Sequence, residues 1–401
     1  KSNLTLAKIL YITPFFNYPP KDGASYRSIY FFEKLREKHD VVLLTYPNES
    51  LEFYLNQNNG EPKIHKLPKK SGSNKILSFF QRLFSYELPG FASHDINSIS
   101  ENIEKLILKY GKFDVYYFAT QLMGQAILKK KLNGIKVIDL YDLYVEHRQG
   151  KQSDVPLWKP YHWLFRLEAM RVKIYERKIF EMFDHILVTC DEEAIIVDEL
   201  VYKASIFKLP NGVDYPKKIK KTSEIGNILM VGNFEHAPNK EGILWFYHKV
   251  WETVKKRYAN SKLILVGKMP DSLKTIFSND MDIKVEGLVS KLDPYYMQAS
   301  CAIIPIFHLS GIKIKLLEAM AHGVPIVSTH SGGMGFENIQ TIKFADTPES
   351  FAHAIHQLLT DDIIPEQDLE RTRKMIYEGF TWNKIGNDLV NILDSLDKTG
   401  S

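Results

Sequence analysis

One stretch constrains the fold of this chain more than any other: Ser310-Gly311-Ile312-Lys313-Ile314-Lys315-Leu316-Leu317-Glu318-Ala319-Met320-Ala321-His322-Gly323-Val324-Pro325-Ile326-Val327. It follows an apolar run, Cys301 to Ile306, that reads as a buried strand. The loop Phe307 to Gly311 then opens a helix that Gly323 stops, and Val324 to Thr329 returns as the next strand. Strand, helix and strand in this order belong to a parallel sheet, whose ligands lie at the carboxyl ends of its strands. The first helical amides and the positive end of the helix dipole point at that loop, so an anionic phosphate suits it. Lys315 and Glu318, three residues apart, share one helix face. The cation suits a diphosphate, and the carboxylate suits the two hydroxyl donors of a sugar diol. An ordinary surface ion pair is the other reading of the same two residues.

The run Lys-Leu-Leu-Glu-Ala-Met-Ala-His-Gly-Val-Pro-Ile-Val-Ser-Thr resembles the donor-site signature of retaining glycosyltransferases of the GT-B fold, family 4 in particular. Within that family, Gly-Ile-x-x-Lys-x-Leu-Glu-Ala-Met-Ala is similar to a branch of exopolysaccharide sugar transferases. The resemblance implies an α/β fold of two Rossmann-like domains facing a central cleft. It implies that Glu318 holds the ribose of a nucleotide sugar, and it puts Ser310 where most members carry a sugar-contacting Glu. It also implies residues 1–214 as the acceptor-side domain, 215–379 as the nucleotide-sugar domain, and 380–401 as a helix crossing back to the first.

The rest of the chain is consistent with this pattern. Lys8 to Thr13 reads as a strand, followed by a Pro-rich turn and a helix from Ser28 to Lys38, with Ile29, Phe32 and Leu35 on one face. The turn has a single glycine, not the three-glycine fingerprint of dinucleotide sites. Yet Pro19-Pro20-Lys21-Asp22-Gly23-Ala24-Ser25-Tyr26-Arg27 resembles the first loop of the same branch, which implies donor phosphates at the Gly23 amide and an acceptor-side charge on Arg27. Asp142 follows the strand Val137 to Leu140; it reads as an N-cap or as a catalytic residue beside the reacting sugar, the role the family implies.

The second half opens with Asn227-Ile228-Leu229-Met230-Val231-Gly232-Asn233-Phe234-Glu235-His236-Ala237-Pro238-Asn239. Gly232 ends a strand where a ligand can approach the backbone. The family's Arg position is Asn233, so His236 and Asn239 become the hydrogen-bond donors to phosphate and Lys315 the charge, with His236 and Lys315 counted as catalytic. The family also implies that the backbone at Gly287 and Leu288, beyond the strand that starts at Ile283, holds the base, and it places Gly311 at the donor.

At 401 residues, 44% apolar and 25% charged, the chain has room for two cores, and its net charge of +4 gives no reason to expect nucleic acid as a partner. Cys190 and Cys301 sit in apolar contexts and read as buried free thiols. No metal is expected, and no cofactor beyond the nucleotide-sugar substrate. Residues 63–84 interleave Lys63, Lys66, Lys69, Lys70, Lys75 and Arg82 with aromatic and aliphatic residues, which reads either as a surface helix or as a segment attracted to an anionic membrane. With no signal-peptide pattern and no apolar run long enough to cross a bilayer, the expected location is cytoplasmic, peripheral at the inner face of the plasma membrane.

The expected activity is transfer of a sugar from a UDP- or GDP-sugar to a saccharide or lipid-linked acceptor hydroxyl in bacterial surface polysaccharide or glycoconjugate synthesis, with retention. Two alternatives share these features: a nucleotide-sugar 2-epimerase of GT-B architecture, and a non-catalytic two-domain sugar-binding protein.

Overall fold

The computed structural model describes residues 6–20, 22–58, 62–68, 96–141, 160–216, 226–308, 311–360 and 364–396, with the backbone course alone for 160–169. The chain divides into two compact units, Lys1–Pro210 with Gly386–Ser401, and Asn211–Ile385.

The first unit is a seven-stranded parallel sheet in the order β3-β2-β1-β4-β5-β6-β7. Its strands are β1 (Lys8–Thr13), β2 (Asp40–Thr45), β3 (Lys63–Lys66), β4 (Val115–Ala119), β5 (Ile135–Asp139), β6 (His185–Val188) and β7 (Ser205–Lys208). The central strands are apolar on both faces, as a sheet covered by helices on both sides requires: Ile9, Leu10, Tyr11 and Ile12 are fully buried, as are Val42, Leu43 and Leu44. Ile29, Phe32 and Leu35 pack inward from the helix Gly23–Arg36 as their spacing predicts. That helix starts five residues earlier than Ser28, because the Asp22 carboxylate caps it by accepting from the Ser25 amide at 2.8 Å.

The basic segment departs from its expected form at its start. Lys63–Lys66 is a strand in register with Val42 to Thr45, not part of an amphipathic helix. Lys63 pairs with Asp40 at 2.6 Å and Lys66 with Glu52. The remainder of that expectation, residues 69–84, lies outside the described residues. Among the described residues no helix is long and apolar enough to cross a membrane.

The second unit repeats the plan with six parallel strands in the order β10-β9-β8-β11-β12-β13. These are β8 (Asn227–Val231), β9 (Lys262–Val266), β10 (Ile283–Gly287), β11 (Cys301–Ile304), β12 (Ile326–Ser328) and β13 (Ile342–Phe344). From β8 the chain winds outward through β9 and β10, then starts again at β11 on the other side and winds the opposite way. The switch point therefore falls between β8 and β11, where Cys301 pairs with Ile228 and Ala302 with Leu229. The loops leaving these two strands diverge and open a crevice at their carboxyl ends. Both cysteines are buried, and no disulfide joins them, as expected.

Candidate functional site

The crevice between β8 and β11 holds most of the residues singled out in the second unit. The helix after β11 runs from Ile314 to Ala321, shorter at its start than the sequence pattern, and opens without a side-chain cap. Lys315 lies in its first turn and donates from Nζ to Asn239 Oδ1, while Asn239 Nδ2 donates to the Asn233 carbonyl at 2.8 Å. Asn239 reaches the site from the helix Ala237–Trp245, which begins just after β8. Gly232 makes this convergence possible. A β-carbon there would lie 2.9 Å from Lys315 Nζ and 3.1 Å from the Asn239 side chain, so any larger residue displaces both. The Gly232 amide itself is used within the sheet, donating to Val266 O at 2.9 Å. Asn233 folds its side chain back, accepting from the Glu235 amide at 3.0 Å, and exposed His236 takes the N-cap position.

Glu318 stands one turn deeper and forms no ion pair with Lys315. Its Oε2 accepts from the hydroxyl of Tyr296 at 3.0 Å. Partial burial acts on the two charges in opposite senses. Desolvation, helped by neighbouring Lys313, brings the Lys315 ammonium down to about 7 against the pull of Glu318. Desolvation also raises the Glu318 carboxyl to about 7; Tyr296 and Lys315 oppose the rise, while Asp214 and Asp293 add to it. Lys313 donates to the carbonyls of Gly311 at 2.7 Å and Ser331 at 3.3 Å, and the Asn211 amide group donates to Ile312 O at 2.8 Å, so the loop before the helix is tied from both sides.

Gly287, with φ of 71°, closes β10, and its carbonyl accepts from the Gly267 amide at 2.8 Å. Leu288 beside it is 65% exposed. These two lie at the same carboxyl edge, two strands from β8, or about 10 Å by ordinary strand spacing.

The first unit treats its marked residues differently. Arg27 is 1% exposed, and its charge is neutralised in place. Its Nε and Nη2 donate to Asp139 at 2.9 and 2.6 Å, Nη1 donates to Pro210 O at 2.9 Å, and Nη2 also donates to Leu209 O at 2.9 Å. Tyr117 adds a hydroxyl donor to Asp139 at 2.8 Å. The expected acceptor-side charge is therefore turned into the protein, because a carboxylate 112 residues away at the end of β5 meets it there. Gly23 is the first helical residue and exposed, with the Asp22 carboxylate already at that helix start. Asp142 and Ser310 lie outside the described residues.

Sequence reasoning missed Tyr296, Asp293, His322 and Lys313. Of these, only His322 carried a signal, its place one helical turn beyond Glu318. Among the described residues no three His, Cys, Asp or Glu side chains stand together as a metal cluster.

Residues 226–361, most of the second unit, match the family model described as glycosyl transferases group 1. An uncharacterized glycosyltransferase of Methanocaldococcus jannaschii is 26% identical over 195 residues, covering 45% of this chain and 47% of that protein. The chain thus spans about half the length of the curated relatives it matches, 47% of this one and 60% of a second. Among solved structures, sucrose-phosphate synthase from Thermosynechococcus elongatus superposes with a TM-score of 0.70 at 18% identity, covering 98% of this chain and all of that one. Anabaena HepE in complex with UDP and glucose gives 0.65 at 13% identity, covering 97% of this chain and all of that one. The architecture is GT-B, and the second unit is a glycosyltransferase domain.

Proposed function

We propose that this chain, a GT-B protein carrying a glycosyltransferase domain, transfers a sugar from a nucleoside diphosphate sugar to an acceptor hydroxyl with retention at the anomeric carbon. The observation that carries the proposal is the meeting of Lys315 and Asn239 over side-chain-free Gly232, with Glu318 one turn away, at the switch point of the second sheet. In this reading a uridine or guanosine diphosphate lies with its base against the backbone at Gly287 and Leu288, its ribose hydroxyls donating to Glu318, and its diphosphate against Lys315, Asn239 and exposed His236.

In the reaction, the bond from the anomeric carbon to the diphosphate oxygen breaks and the acceptor oxygen bonds to the same face of that carbon. The acceptor proton leaves with the phosphate oxygen. Charge accumulates on the leaving diphosphate, so Lys315 contributes most when it carries its full positive charge in the transition state. Asp142 takes the acceptor side, and Arg27 acts by fixing Asp139 and the chain at Leu209 and Pro210.

The exopolysaccharide-like motifs at 19–27 and 311–321 favour a bacterial surface polysaccharide or glycoconjugate as product, with a saccharide or lipid-linked acceptor. The basic residues Lys69, Lys70, Lys75 and Arg82 would hold such an enzyme at an anionic membrane face, each contributing roughly 1 kcal/mol. Salt-sensitive flotation with anionic but not neutral vesicles tests that location. Calorimetric titration with UDP and GDP tests the donor site: binding that is lost in Lys315→Ala and Glu318→Gln supports the assignment, and unchanged affinity in both variants overturns it.

A further inference from the structure

The geometry points to Tyr296 as the residue that positions Glu318, fixing one carboxylate oxygen so that the other alone meets the ligand. Tyr296 is 2% exposed, and its hydroxyl donates to Glu318 Oε2 at 3.0 Å and approaches the Lys315 carbonyl at 3.4 Å. Among the described residues Glu318 Oε1 has no hydrogen-bond partner, yet it is not among the buried polar atoms left unsatisfied, so it remains reachable from outside.

The tyrosine is itself held by two helices. Its ring stacks on His322, centroids 4.6 Å apart and planes 21° apart. His322 Nδ1 faces the Glu318 carbonyl at 2.7 Å, which can only accept, so that nitrogen donates. Nε2 meets Asp293 Oδ1 at 3.1 Å, and Asp293 opens the short helix Asp293–Gln298 on which Tyr296 lies. Glu318 is therefore gripped at its backbone by His322 and at its side chain by Tyr296. A carboxylate held this way presents a single oxygen in a fixed direction, which avoids part of the ordering cost when a diol binds.

This inference rests on the proposed reading of Glu318 as a ribose-binding residue, and the test separates the two. UDP and its 2′,3′-dideoxy analogue are titrated into wild type, Glu318→Gln, Tyr296→Phe and His322→Asn, with thermal melting to establish folding. Tyr296→Phe keeps the stacked ring and loses only the hydroxyl. It is expected to weaken UDP by about five- to tenfold while leaving the dideoxy analogue unchanged, as loss of a hydrogen bond to a charged group implies. His322→Asn, the second route if Tyr296→Phe does not fold, shows the same selective loss. Wild-type discrimination between the two ligands that persists in Tyr296→Phe but vanishes in Glu318→Gln overturns the positioning role, as does equal weakening of both ligands in Tyr296→Phe. Discrimination that survives Glu318→Gln overturns the ribose reading and with it this inference.

Discussion

Each unit brings a cation and a carboxylate to the carboxyl end of its parallel sheet, and treats them in opposite ways. In the first unit Arg27 and Asp139 are buried together and bonded at 2.6 Å, with a tyrosine and two carbonyls using further hydrogen-bonding capacity. In the second unit Lys315 and Glu318 are partly buried, one turn apart, and form no ion pair, each bonded to a neutral side chain instead. The first arrangement is complete without a ligand. The second leaves a cation and a carboxylate that an anion bearing hydroxyl groups would satisfy. The same edge of the same kind of sheet thus serves as a clasp in one unit and as a candidate receptor in the other, and the difference lies in whether the charges touch.

The comparison is broken most severely at Arg27. Arg27→Ala leaves Asp139 charged, buried and unpaired, so it is expected to cost ~3–5 kcal/mol in urea unfolding, and the double change Arg27→Met with Asp139→Leu should recover part of that loss. Lys315→Ala should do the reverse. It leaves stability at or above wild type, because a desolvated ammonium is removed, but weakens UDP or GDP by about 2 kcal/mol, or roughly thirtyfold, in calorimetry. Gly232→Ala sharpens the contrast, since its β-carbon pushes Lys315 and Asn239 apart. A loss of about 1 kcal/mol in nucleotide affinity is expected, with a melting temperature little changed. A fall in stability equal to that of Arg27→Ala would mean that the second site is also a clasp.

The smallest effect is in pH. A lysine whose value falls to about 7 on folding destabilises the fold fully below that pH, and the penalty fades as pH rises toward 10.5. A glutamate raised to about 7 contributes stability below 4.5 that is lost as pH climbs to neutrality. Both penalties overlap near pH 7. Lys315→Met with Glu318→Gln should therefore gain more stability at pH 7 than at pH 5 or 9, by about 1 kcal/mol, in urea melts across that range.

The strands of both sheets were largely legible, because runs such as Ile9 to Ile12 and Cys301 to Ile304 are apolar on both faces and too short for helices. β3 was not, since an edge strand reading Lys-Ile-His-Lys has no core face and is defined by its pairing with β2. Glu318, Lys315, Asn239 and Gly232 were found as a set through a local motif and its family likeness. The burial of Arg27 was hidden because its partner is 112 residues away, and Tyr296 because nothing along the chain shows which carboxylate a hydroxyl will meet.

The near-equal affinities of Lys315 and Glu318 for protons have a calorimetric consequence. A diphosphate arriving at Lys315 favours the ammonium and draws a proton from the buffer, whereas hydroxyls donating to Glu318 favour the carboxylate and send one back. Sulfate alone, which does not titrate near neutrality, should therefore bind with net proton uptake and a nucleoside alone with net release. A nucleoside diphosphate sugar, whose diphosphate carries no group titrating near neutrality, engages both and should exchange fewer protons than either, so its heat of binding should differ less between phosphate and Tris.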